Sequence, residues 1–413
     1  MVKNIMCALS GGGFRAMFFH AGVLRALVRL GLKQQIAAIS TVSGGSITGV
    51  LFSLRYQDIH SISDFDRLVL APLVDLSRRK LGPKLLLHNI ARLPTRLLSI
   101  LLELLGFPGR FVTSLDRYNS TMLFISELDD LLYGKALLSD LPASPELRIN
   151  TTNLNNGTRW RFTKSDFGDY KTGYSYNIEQ FKLSEAVAAS AGYPLLFPPY
   201  KLRTGEYTFY FRNQAKNDLT INHHVPQTVY LSDGGIYDNL GIHALKNQLS
   251  LTEPCFLVIS DASSSLSPLN MDYGYLSACK RIVDILLEQV VSHDRQIITA
   301  NFTNQIWRGI FFRLENSTSH YRQSTELGAV DKIHIPVLGL SDDMVSQLRD
   351  ISTSATVFTS KQLCSLVHHG ETLTETLLAS WHTKDYLQLL HAPGYTSPAW
   401  INTYKAGSRG KRK

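Results

Sequence analysis

The sequence predicts an α/β fold: a mostly parallel central sheet with helices on both faces, and a helical insert. Two apolar runs, Ile5 to Leu9 and Ile36 to Val42, each end in a glycine-rich turn followed by apolar residues at helical spacing. The order strand, turn, helix, strand, turn, helix builds parallel strands joined by right-handed crossovers. A third observation extends the pattern downstream, where β-rich runs and helical periodicities continue to alternate.

The first run is too short for a signal-peptide core and is expected as strand one. It runs into Ser10-Gly11-Gly12-Gly13, after which apolar positions 17, 21, 24 and 28 recur until Gly31. The second run ends at Ser43-Gly44-Gly45, and a new helical pattern starts near Ile47. Residues 67–110 then interpose Leu-rich helical stretches broken at Pro72, Pro83, Pro94 and Pro108. Within them Arg78, Arg79, Lys80, Lys84, Arg92 and Arg96 stand among many leucines, a basic amphipathic pattern that suits a core cap or a membrane interface. Leu85 to Phe107 is long enough for a bilayer, but His88, Asn89, Arg92, Pro94, Arg96 and Glu103 interrupt it, so no transmembrane span is expected. Thr228 to Leu231 is a further strand. Beyond Ser263, helical spacing around Ile282, Ile285, Leu286 and Val290 gives way to β-like runs at Ile310 to Leu314 and Ile333 to Leu338. A final helix is expected from an N-cap at Ser341, with Asp342 and Asp343 in its first turn. The expected organisation is a catalytic α/β unit over 1–262, carrying the insert 67–110, with 263–413 completing or flanking the same domain.

Composition narrows the function. The 413 residues carry 42 Lys and Arg against 34 Asp and Glu, a net charge of +8, and 44% are hydrophobic, which excludes wholesale disorder. The four cysteines, at 7, 255, 279 and 364, have no metal-ligand spacing, so free thiols in a reducing compartment are expected, with no metal site and no cofactor. The charge is unevenly placed: residues 1–57 contain six basic residues and no acid, 78–110 contain seven against Glu103, and 405–413 contain five. No nucleic-acid motif accompanies the tail Arg409, Lys411, Arg412, Lys413, so no nucleic-acid partner is expected.

Two chemistries compete for the first glycine turn. Gly11 to Ala16 satisfies the dinucleotide fingerprint G-x-G-x-x-A, but that fingerprint needs a ribose-binding acid about 20 residues on. Here the first acid is Asp58, and Thr41, Val42 and Ser43 occupy the carboxylate's place. The alternative is an oxyanion hole, in which glycine amides and the start of a helix face the negative oxygen of an acyl-transfer transition state. Ser43 sits where a strand turns sharply into a helix, the geometry that lifts a nucleophilic hydroxyl above a sheet edge. A serine needs a base. Asp233-Gly234-Gly235 ends the later strand; His20, His243 and His293 lie near helical segments, and the order Ser, Asp, His also admits a triad of Ser43, Asp233 or Asp261, and one of the later histidines.

Ser10-Gly-Gly-Gly-Phe-Arg-Ala16, Val42-Ser-Gly-Gly-Ser46 and Asp233-Gly-Gly235, in that order, resemble the signature motifs of patatin-like phospholipases. The first is also similar to that of cytosolic phospholipases of the same catalytic type. Ala186-Val-Ala-Ala-Ser190 through Tyr193-Pro194 to Phe197-Pro-Pro199 resembles the segment between nucleophile and base. The resemblance spans roughly residues 3 to 262. It implies a Ser–Asp dyad without histidine: Ser43 as nucleophile, Asp233 as base, the Gly11, Gly12 and Gly13 amides as oxyanion hole, and Arg15 ordering the loop or meeting a lipid phosphate. Two departures are Thr41, where the family has the first glycine of G-x-S-x-G, and Ala16; Thr41 is expected to narrow the site. The implied activity is a phospholipase A-like acyl hydrolase acting through an acyl-enzyme, cytoplasmic and peripheral to the membrane. The rivals are an acyltransferase with the same dyad and an inactive membrane-binding member.

Overall fold

The computed structural model describes residues 5–106, 119–194, 196–213, 218–246, 255–263, 265–266, 274–323, 339–351 and 358–381. The basic tail, the run Ile333 to Leu338 and the end of the insert at 107–110 lie outside the described residues.

One sheet contains the twelve strands among the described residues: β1 (Ile5–Leu9), β2 (Ile36–Val42), β3 (Glu146–Asn153), β4 (Thr158–Phe162), β5 (Phe167–Asp169), β6 (Gly173–Ser175), β7 (Tyr200–Arg203), β8 (Tyr210–Asn213), β9 (Asp218–Ile221), β10 (Thr228–Asp233), β11 (Phe256–Asp261) and β12 (Gly309–Arg313). Its centre is parallel, in the order β12-β11-β1-β2-β3. Beyond β3, an antiparallel wing runs β4-β5-β6-β8-β9. Trp160, Phe162, Phe167, Phe181 and Phe209 pack together beneath that wing.

β1 is buried on both faces, which is why its sequence is a continuous apolar run instead of an alternation. Ile5, Cys7 and Leu9 face the larger core, which holds α1 (Gly13–Arg29) and α2 (Gly44–Leu54). Met6 and Ala8 face the opposite side, where Val291, Ile298 and Phe302 of the helix Tyr275–Thr303 cover them. Helices therefore lie on both faces, as expected from the sequence.

The C-terminal residues join this body. β12 extends the parallel sheet beside β11, and Ser341 caps the helix Asp342–Arg349 by accepting from the Met344 N–H. A further helix, Ser360–Trp381, goes beyond the elements read from the sequence, although its buried Leu363, Leu366, Val367, Leu373 and Leu377 recur at helical spacing. It lies directly on α1. A Cβ at Gly22 would strike the Val367 carbonyl, and one at Gly370 the Phe19 carbonyl, so the two backbones approach as closely as glycine allows. Buried charges are paired across the contact, Arg25 with Glu371 and Arg29 with Glu375, and Arg25 also meets Asp66.

Candidate active site

The site forms where β2 and β10 meet head-on along one edge of β3. β3 pairs with β2 through Val42↔Asn150, and with β10 through Asp233↔Thr151. Its other edge is taken by β4 over Ile149 to Asn153, so β10 can only add to the β2 edge, starting where β2 leaves it. Two segments 190 residues apart in the chain thus end within one register step of each other. Ser43 and Asp233 line the same cavity, and the Ser43 hydroxyl is near enough to help hold the Asp233 carboxylate in its charged form.

Ser43 stands at the turn from β2 into α2 with φ 50° and ψ −119°, a strained conformation for a side chain with a Cβ. Asp233 is buried, and its Oδ1 accepts the Gly235 N–H at 2.7 Å. Burial pushes its carboxyl up to about 6, outweighing the opposing pull of the Gly235 N–H and the Ser43 hydroxyl. The glycine turn lies alongside. Gly12 has φ 137°, closed to other residues, and a Cβ at Gly44 would run into the Gly13 carbonyl, so the two turns touch through bare backbone.

A cavity of about 740 Å³ opens over these groups. Gly12, Gly13, Ser43, Asp233 and Asn239 form its polar end, while Ile47, Leu85, Phe124, Leu196, Phe197 and Val291 supply apolar wall. Phe124 and Phe197 meet ring to ring, with centroids 5.4 Å apart.

The structure refines three of the sequence expectations. The Gly11 N–H is occupied: it donates to the Asn239 carbonyl at 2.9 Å, and Gly11 is not part of the cavity lining, which leaves Gly12 and Gly13 as the amides beside Ser43. Arg15, 1% exposed, spends its guanidinium on the backbone carbonyls of Ala262 (2.9 Å), Arg349 (3.1 Å) and Ile351 (3.3 Å). These bonds tie the start of α1 to the segments at Ala262 and Arg349–Ile351, and Arg15 also lines the cavity. Thr41 does not narrow the site. It is fully buried and points away from the cavity into α2, where Gly49 leaves room for its methyl and Ser46 Oγ lies 3.0 Å from its hydroxyl.

Among the described residues no histidine lines the cavity. His20 is buried between Ser260 Oγ and the Ser10 carbonyl, each 3.0 Å away, and desolvation pushes its pKa down to about 4. His243 pairs with Asp294 at 2.9 Å, next to Asp238; Lys246 Nζ lies 3.4 Å from its other ring nitrogen, so this cluster carries its own countercharges. Asp261 is held by Arg295 and Ser263. Two residues with no role assigned from the sequence belong to the site. The Asn239 carbonyl holds the Gly11 N–H, and Ser190 Oγ accepts the Ser43 N–H at 3.0 Å. Neither was identifiable from spacing, because both act through backbone groups of distant segments.

A mixed α/β sheet with a serine at a strand-to-helix elbow, facing a glycine turn, defines the class of protein. The chain belongs to the patatin-like phospholipase family, whose model matches residues 7–246. That membership supports lipid hydrolase activity. Among solved structures, it is similar to VipD from Legionella pneumophila (15% identity, TM-score 0.36, covering 92% of this chain and 67% of that one). It is also similar to human GIVD cytosolic phospholipase A2 (13% identity, TM-score 0.47, covering 94% of this chain and 63% of that one). The chain thus spans less than two thirds of the human protein's chain. No curated protein matches it in sequence.

Proposed function

We propose that the protein is a phospholipase A-like acyl hydrolase in which Ser43 is the nucleophile and Asp233 the base. The observation that carries this reading is an elbow serine beside a buried carboxylate at the polar end of an apolar cavity. Asp233, with its proton affinity raised by burial, takes the hydroxyl proton as Ser43 Oγ attacks the acyl carbonyl. The Gly12 and Gly13 amides, at the start of α1, stabilise the tetrahedral oxyanion. Collapse breaks the ester bond, and Asp233 returns its proton to the departing alcohol oxygen. Water, deprotonated by the same carboxylate, then attacks the acyl-enzyme, releasing a fatty acid and the free Ser43 hydroxyl. Every proton taken is given back within one turnover, and among the described residues no histidine lines the cavity to share the transfer.

The proposed working place is a cytoplasmic membrane surface. None of the four cysteines is in a disulfide, which supports a reducing compartment. Among the described residues no helix is long and apolar enough to cross a membrane. The helices Leu81–Ala91 and Leu93–Leu104 of the insert instead expose Leu87, Ile90, Leu93, Leu97, Leu98, Leu101 and Leu104, from 47% to 80% each. The first of them buries Leu81 and Leu85 in the core, so one helix both lines the cavity and carries the exposed apolar face. Burying such side chains favours an interface by about 25 cal/mol per Å².

Lipid analysis of phospholipid vesicles incubated with the wild type, Ser43→Ala and Asp233→Ala tests the assignment. Fatty acid release by the wild type alone is the expected result. Equal release by Ser43→Ala rules the reading out, and acyl transfer to added lysolipid in place of fatty acid release assigns the acyltransferase.

A further inference from the structure

The buried hydroxyl of Ser190 touches neither cavity nor solvent, yet more of the site's backbone converges on it than on any catalytic group. It ends the helix Leu183–Ser190 and is fully buried. Its Oγ accepts the Ser43 N–H at 3.0 Å and donates to the Asn150 carbonyl at 2.7 Å, on the β3 residue paired with Val42. Ser46 Oγ, in the first turn of α2, lies 2.9 Å away. Its own carbonyl accepts the Gly234 N–H at 3.1 Å, and two residues on the Gly192 carbonyl accepts the Asp233 N–H at 3.1 Å and the Ser232 hydroxyl at 2.9 Å. One residue therefore contacts the strand end that carries the nucleophile, the helix that follows it, the strand between nucleophile and base, and the turn that carries the base.

We infer that Ser190 is a positioning residue for the Ser43–Asp233 pair: its hydroxyl holds the Ser43 N–H, and with it the elbow, in the one backbone conformation that aims Oγ at the carboxylate. This inference rests on the dyad reading. The physical need is specific. With φ at 50°, Ser43 occupies a region a side-chain-bearing residue leaves readily unless its neighbours hold it. The N–H of a nucleophile at a strand end has lost its ladder partner, and a buried N–H requires another acceptor. A hydroxyl supplies it while sending its own proton to the Asn150 carbonyl, so an acceptor lone pair stays turned toward the Ser43 N–H.

The test uses the full chain, a soluble short-chain p-nitrophenyl ester and the variants Ser190→Ala, Ser190→Cys, Ser184→Ala and Ser43→Ala. For Ser190→Ala, kcat is expected to fall about ten- to a hundredfold with KM within about twofold, the cost of a misaimed nucleophile in an intact pocket. The acid limb of its pH profile should stay near about 6, because the surroundings of Asp233 are kept by backbone carbonyls. Ser190→Cys keeps the size and offers a weaker acceptor, so its kcat should fall between the two, and it carries the test if the alanine variant does not fold. Ser184, buried on the same helix with a hydroxyl that has no partner, is the structural control and should keep wild-type kcat when changed to Ala. A folded Ser190→Ala or Ser190→Cys enzyme with wild-type kcat, or one changed only in KM, overturns the inference while leaving the dyad standing. An active Ser43→Ala enzyme overturns both.

Discussion

Changing Asp233 to Asn should abolish activity and stabilise the protein. Both effects come from the same burial. The carboxyl is raised from 3.8 to about 6 because the ionised form is desolvated, despite help from the Gly235 N–H and the Ser43 hydroxyl. Between those two values the folded state binds the proton more tightly than the unfolded chain does. Its contribution is therefore complete below pH 3.8 and is lost as the pH rises through 6. Roughly 2.2 pKa units at 1.36 kcal/mol each give about 3 kcal/mol of stability forfeited at neutral pH to keep a base charged in that pocket. Asn has the same shape, still accepts from Gly235, and pays no such penalty. Urea unfolding of the two proteins at pH 8 and at pH 4 measures the difference: the Asn variant should be more stable by up to about 3 kcal/mol at pH 8, with the gap nearly closed at pH 4. With an unfolding entropy of roughly 2.1 cal/mol/K per residue, the gain at pH 8 corresponds to about 3 to 4 °C in Tm. Equal stability at pH 8, or a gap that does not change with pH, refutes the assignment of Asp233 as a carboxylate strained by burial.

The pH profile of kcat/KM should rise with a single acid limb near about 6 and then level, because Asp233 must be ionised to act; a wild-type profile with no such limb assigns the base elsewhere. Arg15→Met removes three bonds to buried carbonyls and should destabilise the fold by about 3 kcal/mol, measured by denaturant titration, while leaving vesicle binding intact. Gly49→Ala drives a methyl into Thr41 and should cost about 1–3 kcal/mol, and Thr41→Gly in the same chain should recover most of it in a double-mutant cycle. Replacing Leu97, Leu98 and Leu101 by Ser should weaken vesicle flotation without changing hydrolysis of a soluble ester.

Much of the site was legible because it is local. A glycine run after a buried strand and a serine at the next strand end lie within 35 residues of each other, and the absence of acids over 1–57 disfavours the dinucleotide alternative from the sequence alone. The encounter of Ser43 with Asp233 was legible only through resemblance. Its physical cause is the pairing of one edge of β3 with two strands in succession, and no periodicity encodes a shared edge. The same reason hid Ser190 and Asn239, whose partners are backbone atoms of remote segments. Arg15 had two roles in the sequence, and its bonds to the carbonyls of Ala262, Arg349 and Ile351, all remote in the chain, have no signal in the spacing. The helix Ser360–Trp381 is different, since its leucines stand at helical spacing, while the glycines that let it approach α1 at Gly22 and Gly370 have no reading except in the packed pair.

The central claim, that Ser43 is a nucleophile activated by Asp233, is tested most directly by reacting the protein with a fluorophosphonate and mapping the adduct by peptide mass spectrometry. A single adduct on Ser43, formed by the wild type, slowed at least a hundredfold in Asp233→Asn and absent in Ser43→Ala, is the predicted result. An adduct on another serine, or labelling of Ser43 at an unchanged rate without the Asp233 carboxylate, contradicts it.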